Sequence, residues 1–115
     1  MIQRIFRAKD CNHNKWVFGS LLVGAEHCFI CWESKQKNAF ETVRVIPNTV
    51  GMISGYEDIY SNALYEDDVI TSGHGFEYVV ILTNKGFRAQ APSGILYEID
   101  WIYQPVKKTN IHDGK

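Results

Sequence analysis

The sequence predicts a mostly-β protein, organised as a small barrel or sandwich. Runs of aromatic and β-branched residues recur along the chain, and turn-forming residues separate them roughly every eight to twelve positions. One of these runs, Phe76–Gln90, contains a clear hairpin signal, and another, Ile95–Gln104, alternates with a period of two. Helical periodicity over three turns with caps at both ends is not seen.

Length and composition limit the class of protein. A chain of 115 residues fits one domain or two small lobes, and 45% hydrophobic with 22% charged residues is typical of a globular protein. Twelve basic and thirteen acidic residues give no general attraction to nucleic acid or to anionic membranes. The start lacks a signal-peptide pattern, and the apolar run Tyr78–Leu82 is too short for a membrane span. We expect a soluble, cytoplasmic protein.

The first half of the chain carries three strand signals. The segments KWVFGSLLVG and CFICWES contain the aromatic and branched side chains that suit a half-buried sheet. The segment AFETVRVI alternates less cleanly. Polar turn formers in DCNHNK and KQKN separate these runs.

The second half carries the strongest strand signals. A hairpin is predicted around Asn84-Lys85-Gly86, where Gly86 supplies the positive φ of a tight loop. In ILYEIDWIYQP, the odd positions from Ile95 to Tyr103 fall on one face, and Pro105 ends the strand. The last ten residues, 106–115, are expected to form a flexible polar tail.

The alternation also predicts a set of core side chains. We expect burial of Trp101 in particular, so that truncation to alanine would cost about 3–5 kcal/mol. The predicted core comprises Phe6, Trp16, Leu21, Val50, Ile53, Leu64, Val69, Val79, Ile81 and Trp101.

The central segment VIPNTVGMISGYEDIYSNALYEDDVI begins at Val45. It resembles the YopX-like family of phage and prophage proteins, whose pattern is V-x-P-x-T-V-G-Q-(F/Y)-T-G-L-x-D-x-x-G-x-x-(I/L)-(Y/F)-E-G-D-I-V. The opening RIFRAKD with KWVFGSL and the ending WIYQP are similar to the two ends of the family. Ser61 and Asp67 replace two family glycines, and we expect the Asp67 turn to survive with some strain. The matching central positions are Pro47, Thr49, Val50, Gly51, Gly55, Asp58, Leu64, Tyr65, Glu66 and Asp68.

The resemblance implies an architecture and a genetic setting. It implies an N-terminal α+β portion over residues 1–48 and a C-terminal SH3-like β-barrel over residues 49–105. It also implies an origin in a phage or an integrated mobile element and action in the host cytoplasm. No established activity accompanies the family, so no catalytic residue and no cofactor is carried over.

The same segment is rich in carboxylates, and its simplest interpretation is structural. Glu66 and Asp67 would occupy a turn, Asp68 would hold that turn, and the carboxylates would face water. The second interpretation is a surface for a basic protein partner, and such a surface would also imitate the charge of DNA. That predicted surface comprises Tyr56, Glu57, Asp58, Tyr65, Glu66, Asp67 and Asp68.

A third interpretation of the carboxylates is a magnesium-type site formed by Asp58, Glu66 and Asp68. Such a site would support metal-dependent phosphodiester cleavage with Lys85 or Arg88 nearby. No spacing in the sequence requires it, and the calcium-loop pattern is absent.

Cysteine and histidine residues offer a possible zinc ligand set. Its members are Cys11, His13, His27, Cys28 and Cys31. In an extended strand, positions 28 and 31 point to opposite faces, which opposes chelation. An odd number of cysteines favours reduced thiols over a disulfide scaffold.

A basic-aromatic group near the start provides the nucleic-acid alternative. If the first two strands pair, Arg4, Arg7 and Lys15 would reach phosphate groups while Trp16 stacks on a base. The competing interpretation places Trp16 in the core with Lys9 and the other charges around it.

Together these observations predict a non-catalytic phage or prophage accessory protein that acts as a binding module. A protein partner, for example a host protein, is favoured, and a small nucleic-acid-binding β-barrel is the alternative. The sequence predicts no metal, cofactor or membrane partner, and the lone loop residue His74 has no identifiable catalytic partner. Association between copies stays open, because exposed strand edges permit strand exchange.

Overall fold

Strands account for most of the described chain, which confirms the mostly-β prediction. The computed structural model describes residues 5–34, 36 and 39–113, and in these the helical structure consists of two 3₁₀ turns. Two compact units are present, Met1–Met52 and Ile53–Lys115. Within the described ranges, no helix has the length and apolar character needed to cross a bilayer.

The elements follow the chain in a simple order. The strands are β1 (Phe6–Lys9), β2 (Trp16–Val23), β3 (Cys28–Ser34), β4 (Ala39–Val45), β5 (Gly51–Glu57), β6 (Ala63–Tyr65), β7 (Asp68–Thr71), β8 (Glu77–Thr83), β9 (Gly86–Gln90), β10 (Leu96–Tyr97) and β11 (Val106–Asn110). The 3₁₀ turns are Pro47–Thr49 and Ile99–Trp101.

The first unit is an antiparallel meander. Strands β4, β3, β2 and β1 lie side by side in that order, and the first residues of β5 pair with β1. An isolated bridge joins Asp10 to Val45, and the Cys11 N–H donates to the Arg44 carbonyl at 3.0 Å. Ala8, Ile30 and Val45 form the buried core of this unit. The two ends of the meander are therefore held together by backbone pairing.

The predicted α+β character of residues 1–48 is wrong. In its described part this region contains four strands and the start of a 3₁₀ turn, with no α-helix. Leu21 pairs with Ile30 inside the β2–β3 ladder. Gly19 allows the backbones of β2 and β3 to approach closely, since a Cβ there would lie 2.2 Å from the Cys31 carbonyl oxygen.

The second unit contains a five-stranded antiparallel sheet. Its order is β10-β9-β8-β7-β11, with β10 and β11 at the two open edges, while β6 pairs with the later residues of β5. The β8–β9 hairpin forms as predicted, with Thr83 paired to Gly86 at φ 104°. The buried core of this unit is Leu64, Ile70, Val80, Ala89, Ile99 and Ile102.

The predicted final strand is replaced by a 3₁₀ turn. Only Leu96–Tyr97 is a strand, and Ile99–Trp101 winds with three residues per turn. That period places Ile99 and Ile102 on one side, and both are buried. Trp101 is 75% exposed, so its predicted place in the core is wrong.

The predicted flexible tail is also incorrect over its first half. Val106–Asn110 forms β11 and pairs with β7, with a register irregularity between Lys107 and Thr109. Asn110 is buried. Polar composition misled the prediction, because this strand is held by hydrogen bonds to buried carboxylates.

We predict that two neighbouring truncations change the stability by very different amounts. Ile102→Ala should destabilise the protein by about 2–4 kcal/mol, because it empties a buried site in the core. Trp101→Ala should change the unfolding free energy by less than about 0.5 kcal/mol, because the side chain is largely in water. Chemical denaturation of both variants measures the difference. A loss of several kcal/mol at Trp101 would contradict the 3₁₀ geometry.

A second stability prediction concerns Ser61, whose φ is 66°. Glycine adopts this left-handed conformation without the steric cost of a Cβ, so Ser61→Gly should stabilise the protein by about 0.5 kcal/mol after its larger chain entropy is subtracted. Ser61→Ala is the matched control and should give no gain. Thermal or urea unfolding tests the pair, and equal effects of the two substitutions would argue against backbone strain at this position.

Candidate functional site

The Asp58 carboxylate is an organising group of the second unit. Its Oδ1 accepts the N–H groups of Tyr60 and Asn62, each at 2.9 Å. Its Oδ2 accepts the Asn62 side-chain amide at 3.1 Å and the Lys107 N–H at 3.0 Å. Burial alone would raise the pKa of Asp58, but these four hydrogen bonds outweigh it and hold the pKa below its usual value. Asp58 thus ties its own turn to β11.

Asp68 plays the corresponding role at the next turn. Its Oδ2 accepts the Tyr65 N–H at 2.7 Å and lies 3.4 Å from the Lys107 ammonium. Its Oδ1 accepts the Asn110 side-chain amide at 3.0 Å. Asp68 therefore holds the turn, as the structural interpretation predicted. The expectation that its carboxylate faces water is wrong, because the side chain is fully buried against these donors.

The residues of that turn are arranged as the sequence suggested. Glu66 and Asp67 form the turn, and Asp67 has φ 71°, a left-handed conformation. The Asp67 carboxylate contacts His112 Nε2 at 3.0 Å, and the Asp67 carbonyl accepts the Ile111 N–H. The turn is thereby fastened to the residues that follow β11.

The seven residues of the predicted partner surface do not share one environment. Asp58, Tyr65 and Asp68 are buried, and Tyr56 packs against the core. Glu57 is exposed. Any partner contact by this segment would therefore fall to its exposed and part-exposed members, while the buried carboxylates serve the fold.

The geometry bears on both metal hypotheses. The carboxylate oxygens of Asp58 and Asp68 already accept hydrogen bonds. Across the described residues, no group of three or more His, Cys, Asp or Glu side chains is placed to hold a metal ion. Cys28 and Cys31 both lie in β3, three residues apart, so they face opposite sides of the sheet.

The basic-aromatic group of the first unit forms an internal stack. The Arg7 guanidinium lies 4.3 Å from the centroid of the Trp16 ring, and the Lys9 ammonium lies 5.4 Å from it. Arg7 and Lys9 are buried, and Trp16 is half-buried. Lys15 is exposed, and Arg4 lies outside the described residues. Of the cations predicted to reach phosphate groups, Arg7 therefore packs on the Trp16 ring.

Exposed apolar side chains concentrate in the loops of the second unit. Backbone bonds bring these loops together: the Ile59 N–H donates to the Pro105 carbonyl, and the Gly73 N–H to the Tyr103 carbonyl. The His74 ring stacks on Tyr103 at 4.8 Å. The exposed set in and beside these loops is Ile59, Tyr60, Phe76, Ile95, Leu96, Tyr97, Trp101 and Tyr103.

A groove opens beside these loops. Its lining includes Phe76, Tyr78, Ala91, Pro92 and Tyr97, and its volume is ≈ 390 Å³. We call these five residues the aromatic groove. The Tyr78 and Tyr97 rings meet edge to face, 5.8 Å apart at 81°. Phe76 is 63% exposed at its rim.

The aromatic groove is not among the sites that the sequence predicts. The available signal was turn formers beside exposed apolar residues: Gly73 and Gly75 precede Phe76, and Pro92-Ser93-Gly94 precedes Ile95. A period-two pattern does not show where loops converge, so the sequence does not predict that these segments meet at one groove.

The second unit is acidic. Residues 53–113 contain nine aspartates and glutamates and four lysines and arginines. Lys108 is paired with Glu77 at 2.5 Å, and Arg88 with Glu98 at 3.3 Å. The aromatic groove therefore lies in a unit of negative net charge.

No known family model matches this chain, and no curated protein matches it either.

We predict that Asp58→Asn reduces stability by about 1–3 kcal/mol at neutral pH, because an amide group would face N–H donors. Since folding lowers the pKa of Asp58, its contribution is present above the usual value of 3.8 and is lost as the pH falls through the lower folded value. Urea unfolding at pH 3 to 7 should show a smaller acid-induced loss in the variant than in the wild type. Parallel curves would show that Asp58 is not the responsible group.

Proposed function

We propose that the chain is a non-catalytic binding module whose second unit receives a basic segment of a protein partner. The observation that carries the proposal is the aromatic groove, whose lining includes the exposed side chains of Phe76 and Tyr97. Exposed aromatic side chains gain most from leaving water, and aromatic residues are enriched at protein interfaces. Exposed apolar patches of this kind are typical of interaction sites.

Charge favours a basic protein over nucleic acid as the partner. Nine carboxylates against four cations in residues 53–113 would repel phosphates, whereas a basic segment would be attracted. The nucleic-acid alternative relies on the first unit, where Arg7 and Lys9 are buried beside Trp16. The structure gives that alternative fewer accessible cations than the sequence suggested.

The phage or prophage setting is part of the same proposal. Its support is conformational: Ser61 and Asp67, which occupy two glycine positions of the family pattern, both have positive φ. The SH3-like barrel is likewise proposed over residues 49–105, and its support is the antiparallel pairing of strands β7 to β10 in the second unit. We place the action of the protein in the host cytoplasm.

Affinity capture from host lysate tests the proposal. Phe76→Ala and Tyr97→Ala should each abolish retention of a basic protein, while Val23→Ala, which removes an exposed apolar side chain of the first unit, should leave it unchanged. Retention should fall as salt rises, and all variants should keep the wild-type melting temperature within a few degrees. The proposal would be refuted if Phe76→Ala and Tyr97→Ala left the capture unchanged, or if only nucleic acid were captured.

A further inference from the structure

We infer that the aromatic groove binds an extended, proline-containing peptide segment flanked by arginine or lysine. This inference rests on the proposed function and specifies the ligand of the same site. Three features of the groove carry it: its aromatic walls, its unused hydroxyl groups and its acidic surroundings.

The walls suit flat, rigid side chains. Phe76, Tyr78 and Tyr97 provide three aromatic rings, and Ala91 and Pro92 complete the lining. A second hollow of ≈ 420 Å³ shares Tyr78, Ala91 and Pro92 with the first, so the concave surface continues past the groove. Grooves lined by aromatic rings accommodate polyproline-type segments, whose low conformational entropy reduces the cost of binding.

The polar groups also match such a ligand. A polyproline-type segment has no internal hydrogen bonds, so its carbonyl groups need external donors. Among the described residues, the polar or ring contact found for the Tyr78 and Tyr97 side chains is the one between their rings, which leaves their hydroxyl groups as donors of the required kind. Strand addition fits less well, because the edge strand beside the groove, β10, contains two residues.

Charge sets the flanking residues of the ligand. Glu77 lines the groove and is the carboxylate closest in sequence to its aromatic rings. Lys108 lies 2.5 Å from it and occupies the place that a ligand cation would take. A peptide arginine would therefore compete with Lys108, and removal of Lys108 should strengthen binding.

Fluorescence anisotropy with labelled synthetic dodecapeptides tests the inference on the full chain. One peptide carries two prolines three residues apart and two flanking arginines, a second replaces the prolines with alanine, and a third replaces the arginines with glutamate. The first should bind at least tenfold more tightly than the others. Tyr97→Ala should weaken it tenfold or more, Lys108→Ala should tighten it severalfold, and Val23→Ala should have no effect.

The outcomes separate the inference from the proposed function. Equal binding of the alanine peptide would overturn the proline preference and leave a groove for basic segments. Absence of peptide binding, with lysate capture still dependent on Phe76 and Tyr97, would overturn the inference alone. The inference would also be overturned if Tyr97→Ala left peptide affinity unchanged, or if Lys108→Ala did. Lysate capture independent of the groove would refute both.

Discussion

Two buried carboxylates, Asp58 and Asp68, organise the second unit. Asp58 accepts the Lys107 N–H, and Asp68 contacts the Lys107 ammonium and the Asn110 amide, so both anchor β11. A buried carboxylate without donors would be costly, whereas each of these has several. Because β11 completes the sheet against β7, the unit depends on turns and strand being formed together.

This arrangement explains why the acidity of the segment from Glu57 to Asp68 is a poor guide to the proposed binding surface. The most acidic stretch of the sequence supplies the carboxylates that face inward, and their hydrogen-bonding capacity is used by the fold. The unit nevertheless keeps a negative net charge, with Glu57 and Asp100 among its exposed carboxylates. The carboxylates of the turns therefore build the scaffold, and under the proposed function the remaining charge would attract a basic partner over long range.

The sequence predicted what depends on local pattern. The mostly-β class, the Gly86 hairpin and the turn held by Asp68 follow from propensity, glycine conformation and side-chain capping, and all three are present. Two errors came from non-local effects. Period-two alternation is shared by a strand and by an irregular segment, so it could not show that Ile99 and Trp101 lie in a 3₁₀ turn. Polar composition could not show that Val106–Asn110 would pair with β7. The aromatic groove was not predicted for a related reason, since it forms where separate loops converge.

The exposure of Trp101 and the burial of Ile102 have the same origin. A strand would have placed Trp101 inward with Ile99, whereas the 3₁₀ turn pairs Ile99 with Ile102 and turns the indole outward. A large exposed aromatic residue that is already held in place loses less conformational freedom when it binds a partner. Here the 3₁₀ turn is fixed by its buried isoleucines, and the Tyr103 carbonyl is bound by the Gly73 N–H. The core thus holds these exposed aromatic residues in position, which is the physical basis for the proposal that this unit binds a partner.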